Sequence, residues 1–143
     1  MNNNLRFELS FKNISQLDDK LNFCKLNNIK NINIPCKGLI KKELFNSTIE
    51  YISKNFNEFN VTYHYSLYRQ YSKNKADSYQ YFLDFVKNSQ INRNYEILLV
   101  SGSNKKKNFD SVDVLAYLKK EKNLKVKLGI ASVSYTHLTL PTI

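Results

Sequence analysis

Cysteine and histidine are scarce in this chain of 143 residues, and tryptophan is absent. The two cysteines, Cys24 and Cys36, are too few and too far apart for a disulfide framework or a CxxC metal site. No apolar run approaches the roughly 18 residues that a membrane span requires, and no cleavable apolar leader follows Met1. These absences favour a reducing, cytoplasmic setting without a membrane partner.

Acidic residues are few relative to basic ones, since 12 Asp and Glu stand against 22 Lys and Arg and give a formal net charge of +10. Such an excess is typical of proteins that bind nucleic acids or other anions. The lysines, however, are scattered among asparagines, as an AT-rich genome would also produce, and codon bias is the favoured explanation. The tyrosines that could stack on bases fall at strand or helix spacing, which favours core packing instead: Tyr63, Tyr65, Tyr68, Tyr71, Tyr79 and Tyr81.

Residues 133–143 read VSYTHLTLPTI and contain neither of the two residue types, Asn and Lys, that dominate the preceding chain. The codon string GTC TCT TAT ACA CAT CTG ACG CTG CCG ACG translates into the same ten residues as Val133 to Thr142, and this string resembles a transposase-type library adapter read in one frame. We therefore expect residues 1–132 to be the native, incomplete domain and residues 133–143 to be an adapter-derived tail. His64 is then the one histidine left to carry function.

Five short apolar runs have the length and composition of β-strands, namely residues 5–11, 29–36, 60–67, 95–102 and 124–131. Segments with helical spacing separate them. We expect the first helix to follow an N-cap at Ser15 and the fourth to begin at Asp110 or Ser111. The apolar stripes of the four helices are Leu17, Leu21 and Cys24; Leu44, Thr48, Tyr51 and Ile52; Tyr79, Phe82, Leu83 and Val86; and Val112, Val114, Leu115 and Leu118, with Lys119, Lys120 and Lys122 in the last turn.

The alternation of strands and helices predicts an α/β protein with a parallel sheet, because right-handed crossovers return each strand beside the previous one. Two architectures are compatible with it: an open doubly wound sheet, or the first five strands of a (β/α)8 TIM barrel. An interrupted reading frame favours the truncated barrel, with residues 1–132 as a partial barrel domain. Such a fragment would leave two sheet edges and an apolar layer without partners, so we expect it to be unstable by itself.

Ligands gather at the carboxyl ends of the strands in both architectures, so residues at these ends are the candidate site residues. Glu8 is a carboxylate in an otherwise apolar strand, where it is either a site acid or base or a structural ion-pair partner of Arg6 or Lys12. His64 shares a strand face with Thr62 and Ser66. This polar face indicates a ligand contact for His64, whose near-neutral pKa also permits proton transfer.

The fourth strand is followed by small hydrogen-bonding residues, Ser101, Gly102 and Ser103, which let a ligand approach the backbone closely. An ordinary strand-to-helix turn would have the same composition. The lysines at 105–107 follow in the same loop, where they could neutralise a phosphate or simply be solvated. No P-loop, GxGxxG or HExxH motif is present.

In their order and spacing, these strand ends resemble the methylenetetrahydrofolate reductase family, an eight-stranded β/α barrel that binds FAD. Segment 7–10 (FELS) resembles the opening Phe-Glu-Phe segment of the family, and 63–67 (YHYSL) stands at its Pro-His-Leu-Thr-Cys strand. Segment 100–103 (VSGS) falls at the Leu-Arg-Gly-Asp turn, with serines in place of the Arg and Asp. Segment 128–131 (LGIA) matches the strand that follows.

This resemblance implies an oxidoreductase of one-carbon metabolism that passes a hydride through a flavin to a folate-type, small-molecule substrate. Glu8 would be the catalytic acid, His64, Ser101, Gly102 and Ser103 would contact FAD, and NAD(P)H is a possible reductant. The chain itself would be an inactive fragment. The alternatives are a barrel enzyme or binding protein that takes another phosphorylated ligand and, less favoured, a basic nucleic-acid-binding protein.

Overall fold

A computed structural model describes residues 5–35, 42–67, 74–100 and 109–131 of the chain. Strands and helices alternate throughout these ranges. Their bounds are β1 Arg6–Glu8, α1 Ile14–Leu26, β2 Asn31–Ile34, α2 Lys42–Asn55, β3 Asn60–Ser66, α3 Lys75–Ser89, β4 Tyr95–Val100, α4 Ser111–Leu118 and β5 Leu128–Ala131. The α/β class and the five predicted strands are therefore confirmed, each strand lying inside its predicted run.

The five strands form one parallel sheet in the order β1-β2-β3-β4-β5. Each strand pairs with the next strand of the chain, as Phe7 with Ile32 and Ile32 with Val61. A doubly wound sheet reverses its strand order at a switch point, so that alternative is wrong for the described strands. Right-handed crossovers in a sequential order place all four helices on the same face of the sheet.

Alternate residues of the strands build the core between the sheet and the helices, because successive side chains point to opposite faces. Ile32 and Ile34 of β2 are fully buried there, as is Tyr63 of β3. The hydroxyl of Tyr63 donates to the amide oxygen of Asn92, whose amide nitrogen donates to the Ile49 carbonyl, so a buried polar pair joins the sheet to α2. Burial raises the pKa of Tyr63 strongly.

The opposite face of the sheet, here called the open face, is polar over β1 to β3. The strand register brings Glu8, Asn33, Thr62 and Glu96 into one row across four strands. The expected apolar layer without partners is therefore wrong for β1 to β3, whereas on β4 Leu98 and Val100 do form an uncovered apolar part of this face. Charged and amide side chains on these strands prefer contact with water or a polar ligand, so the open face is compatible with an unclosed sheet.

Large exposed apolar side chains concentrate in the first and last β/α units, at the two edges of the sheet. Leu26 of α1 is 85% exposed and Val112 of α4 is 71% exposed. The predicted stripe of α4 is thus only partly confirmed, since Val114 is buried whereas Val112 and Leu115 are not. The first and last units of the sheet lack the neighbour that each inner unit has, and their apolar positions stay uncovered. These positions are Leu5, Phe23, Leu26, Val112, Leu115 and Ile130.

Two helix ends differ from the sequence prediction and one agrees with it. The side chain of Asn13, not Ser15, caps α1 by accepting from the Gln16 amide at 2.9 Å. Asp110 caps α4 as predicted and forms a reciprocal capping box with Asp113. The lysines expected in the last turn of α4 follow it instead, because the helix ends at Leu118.

No helix in the described ranges is long and apolar enough to cross a membrane. Residues 133–143 lie outside the part of the chain that the structure describes. Their assignment to a sequencing adapter therefore stays a prediction.

The burial of α1 predicts opposite outcomes for two identical substitutions in one helix. Leu17→Ala removes a side chain with no exposed surface and should lower the free energy of unfolding by about 2–5 kcal/mol. Leu26→Ala, the matched control at 85% exposure, should change it by no more than about 0.5 kcal/mol. Urea unfolding followed by far-ultraviolet circular dichroism measures both. Equal losses would contradict the packing of α1 on the sheet.

Candidate functional site

The candidate site is the carboxyl half of the open face, where polar side chains of three neighbouring strands meet. Glu8 ends β1, Asn33 lies beside it on β2, and His64 and Ser66 follow on β3. The sequence positions these groups by alternation, because Phe7 and Ile34 on the same strands face the helices. The predicted face shared by His64 and Ser66 is thus confirmed.

Arg6 lies two residues before Glu8 on the open face, and its side chain contacts residues of two other strands. Its guanidinium donates to the Thr62 hydroxyl on β3 at 2.7 Å and lies 3.6 Å from the Glu96 carboxylate on β4. Arg6 is therefore not the ion-pair partner of Glu8, and Lys12 is not within 4.0 Å either among the described contacts. The structural alternative for Glu8 is wrong for these two partners, and its carboxylate remains exposed.

Two polar atoms on the open face are shielded from solvent and have no hydrogen-bond partner among the described residues. They are Nε2 of His64 and Oδ1 of Asn33. Most buried polar groups in proteins are hydrogen-bonded, so a group that lacks a partner calls for a ligand or an ordered water. Nε2 can donate or accept depending on the tautomer, whereas Oδ1 can only accept. A ligand edge that carries both hydrogen-bond donors and acceptors would supply the missing partners of Nε2 and Oδ1.

Electrostatics make His64 responsive to Glu8. Burial lowers the pKa of His64 below the ordinary histidine value, and the negative charge of Glu8 partly opposes this effect. A mainly neutral imidazole next to an exposed carboxylate can exchange protons with a ligand near neutral pH. Glu8 and His64, the two groups predicted from the sequence, are therefore close enough for the charge of Glu8 to change the pKa of His64.

The adjoining strands β4 and β5 provide an apolar platform beside these polar groups. Leu98 and Val100 of β4 lie in register with His64 and Ser66, and Gly129 of β5 lies next to Leu98. A Cβ atom on Gly129 would lie 3.1 Å from a methyl group of Leu98, so glycine keeps this part of the surface low. Ligand sites commonly combine a mostly apolar wall with a few polar groups. This site has that composition.

The platform and the polar edge together suit a planar heterocycle. One ring face can lie on Leu98, Val100 and Gly129, while an edge bearing donors and acceptors reaches Nε2 of His64 and Oδ1 of Asn33. The isoalloxazine ring of a flavin has both an apolar face and such an edge. The residues present therefore fit the expected cofactor. In the described ranges, no group of three or more His, Cys, Asp or Glu residues could hold a metal ion.

Three of the predicted site residues, Ser101, Gly102 and Ser103, lie outside the described residues, as do the lysines at 105–107. Their cofactor contacts stay predictions. Sequence reasoning missed Asn33 and the link from Arg6 to Glu96. The alternation of 31–34 (NINI) already placed Asn33 opposite two buried isoleucines, but only the strand register sets it beside Glu8.

Three of the six tyrosines considered for base stacking are core residues. Tyr63, Tyr65 and Tyr79 are buried on the helix side of the sheet, where Tyr65 packs edge-on against Phe82 at a centroid distance of 5.4 Å. Tyr81 is exposed, and Tyr68 and Tyr71 fall outside the ranges with structural information. Core packing is confirmed for the three buried rings, which are therefore not available to stack on bases.

Comparison of the chain with family models, with curated proteins and with solved structures finds no match. The resemblance to the reductases therefore stays a prediction from the strand ends.

The proximity of Glu8 and His64 predicts a shift in a histidine titration. Glu8→Gln removes the charge that raises the pKa of His64, so this pKa should fall further. Glu96→Gln is the matched control, because Glu96 pairs with Arg6 and should leave His64 unaffected. Proton NMR of the imidazole signals measures both, with His137, the second histidine, assigned by its own replacement. An unchanged pKa of His64 in the Glu8→Gln variant would contradict the site geometry.

The depressed pKa of His64 also predicts a pH dependence of stability. The unfolded chain binds the proton more tightly than the folded one, so the contribution of His64 is present above its ordinary pKa of 6.5. It is lost as the pH falls from that value through the lower folded-state pKa. Urea unfolding at about pH 7.5 and about pH 5.5 should show a smaller loss on acidification in His64→Gln than in the unchanged chain. An equal loss would refute this role.

Proposed function

We propose that this chain is the amino-terminal part of a (β/α)8-barrel oxidoreductase similar to the methylenetetrahydrofolate reductases. The intact enzyme would transfer a hydride from NAD(P)H through FAD to a folate-type substrate in the cytoplasm. The observation that carries this proposal is the solvent-shielded, unpartnered Nε2 of His64 on the same sheet face as the exposed carboxylate of Glu8. A barrel mouth places an acid and a cofactor contact in this way.

The strand order supports the barrel part of the proposal. A TIM barrel adds its strands one after another around the axis, each followed by a helix on the outside. The described sheet has this sequential, parallel order. The open face would be the lumen, and the uncovered apolar positions at both ends of the sheet are where further β/α units would pack.

Glu8 would act as the general acid. Its carboxylate ends β1 at the open face and has no ion-pair partner within 4.0 Å among the described residues, so a substrate can approach it. Protonation of a ring nitrogen would make the substrate a better hydride acceptor, and positioned general acids contribute about 10²–10⁴-fold to rates. The proton transferred to the substrate would be replaced on Glu8 from solvent, to which its carboxylate is exposed.

A flavin held at this face would supply the hydride-transfer chemistry of the proposed reaction. His64 and Asn33 would hold the polar edge of its ring, and Leu98 and Val100 would support one ring face. The described chain supplies only part of such a site, and we propose that residues 1–132 have no activity without the rest of the barrel.

Expression of the uninterrupted reading frame past Ala131 tests the proposal. We expect a protein with flavin absorbance that oxidises NAD(P)H only with a folate acceptor. Glu8→Gln should keep the flavin and reduce the rate by about 100-fold or more, because the general acid is lost. Glu50→Gln, an exposed glutamate on α2, is the matched control and should leave the rate unchanged.

A colourless protein without folate-dependent oxidation would overturn this function. If such a protein retains a phosphorylated ligand through mild purification, the alternative of a different barrel enzyme or binding protein is favoured. Mass spectrometry of the ligand released on denaturation separates these two outcomes.

A further inference from the structure

A second concave surface lies at the amino ends of the strands. A cavity of about 520 Å³ opens between the beginnings of β3 and β4 and the segment that leads into β5. This volume is within the range of small-molecule sites. Its lining residues are Asn60, Val61, Arg93, Asn94, Tyr95, Glu96, Leu124, Lys125, Val126 and Lys127.

The cavity carries an excess of positive charge that the protein leaves uncompensated. Arg93, Lys125 and Lys127 make no ion pair with any carboxylate among the described residues. Glu96 is the one acidic residue of the lining, and its carboxylate already faces the guanidinium of Arg6 at 3.6 Å. Asn94 lies beside these cations in the lining and is exposed to solvent.

The two lysines are held at the cavity by the packing of their neighbours. Leu124, Val126 and Leu128 pack into the helix-side core, so the alternating residues Lys125 and Lys127 face away from it. The amide of Ile97 also donates to the Lys127 carbonyl at 2.9 Å, which fixes this segment against β4. The backbone positions of Lys125 and Lys127 are therefore set by the packing and pairing of this segment.

We propose that this cavity binds a small molecule with adjacent phosphate groups, such as a nucleoside diphosphate. Lysine and arginine bind phosphate oxygens through charge-assisted hydrogen bonds, and three such cations match the charge of a diphosphate. Asn94 also lines the cavity and can contact the remainder of the ligand, whereas the side-chain amide of Asn60 donates to Oδ1 of Asn31 at 2.9 Å. The overall charge of +10 attracts anions to the chain from a distance.

This site is separate from the candidate site at Glu8 and His64. Asn60 and His64 are at opposite ends of β3, about 13 Å apart along the strand. The proposal therefore does not depend on the flavin or on the identity of the reaction. The lysines at 105–107 follow the carboxyl end of β4 in the sequence and lie outside the described residues.

Titration of the 143-residue chain with ADP and with pyrophosphate, without metal and at low ionic strength, tests the proposal by isothermal calorimetry. Both should bind with one-to-one saturation. The double variant Lys125→Gln with Lys127→Gln should weaken ADP binding by about tenfold or more, because two charge-assisted contacts are lost. The matched control, Lys54→Gln with Lys87→Gln, removes the same charge from exposed helix positions outside the cavity and should bind as the unchanged chain does.

Absence of saturable binding, or an equal loss in both double variants, would overturn the proposal, since the attraction would then be general. Tighter binding of a single-stranded oligonucleotide than of ADP, with a steep salt dependence that the cavity variants leave unchanged, would also overturn it. Far-ultraviolet circular dichroism of the four chains checks that each variant is folded, and Arg93→Gln provides an independent change of the same wall with the same expected loss.

Discussion

Parallel pairing between strands that follow one another in the chain is the constraint on which the rest of this structure depends. Each of the four crossovers returns to the next position in the sheet, so the helices collect on one face. The apolar residues of β2 lie against those helices, as Ile32 and Ile34 illustrate. The other face of β1 to β3 is therefore left for polar residues, and the candidate site at Glu8 and His64 results from this division.

The open face is organised by Arg6, which reaches from the edge strand β1 to Thr62 and Glu96. This contact joins strands that are not neighbours and occupies the charge that the sequence suggested as a partner for Glu8. Because Arg6 is engaged, Glu8 stays exposed and acts mainly on His64. The ion pair is partly solvated, so its contribution to stability is small, about 0–1 kcal/mol. The larger consequence of this ion pair is that it fixes where the charges of Arg6 and Glu96 lie on the open face.

The carboxyl ends and the amino ends of the strands differ in chemistry, although they belong to the same sheet. At the carboxyl ends, a carboxylate and a shielded imidazole adjoin an apolar platform, which suits a flat, uncharged ring. At the amino ends, Arg93, Lys125 and Lys127 surround a cavity with little compensating negative charge, which suits an anion. A parallel sheet makes this possible because all of its strands run in one direction.

The sequence by itself determined the element order, the five strand positions and the strand face that His64 shares with Ser66, because periods of two and 3.6 residues are local properties. It also identified Asp110 as a cap. It misassigned the cap of α1 and the last turn of α4. It predicted the polar face of β3 but not that this polar surface extends over β1 and β2, and it left the strand order open between two architectures. Only the tertiary structure decided these points and the pairing of Arg6 with Glu96, because they depend on which strands are neighbours and on residues 90 positions apart in the sequence.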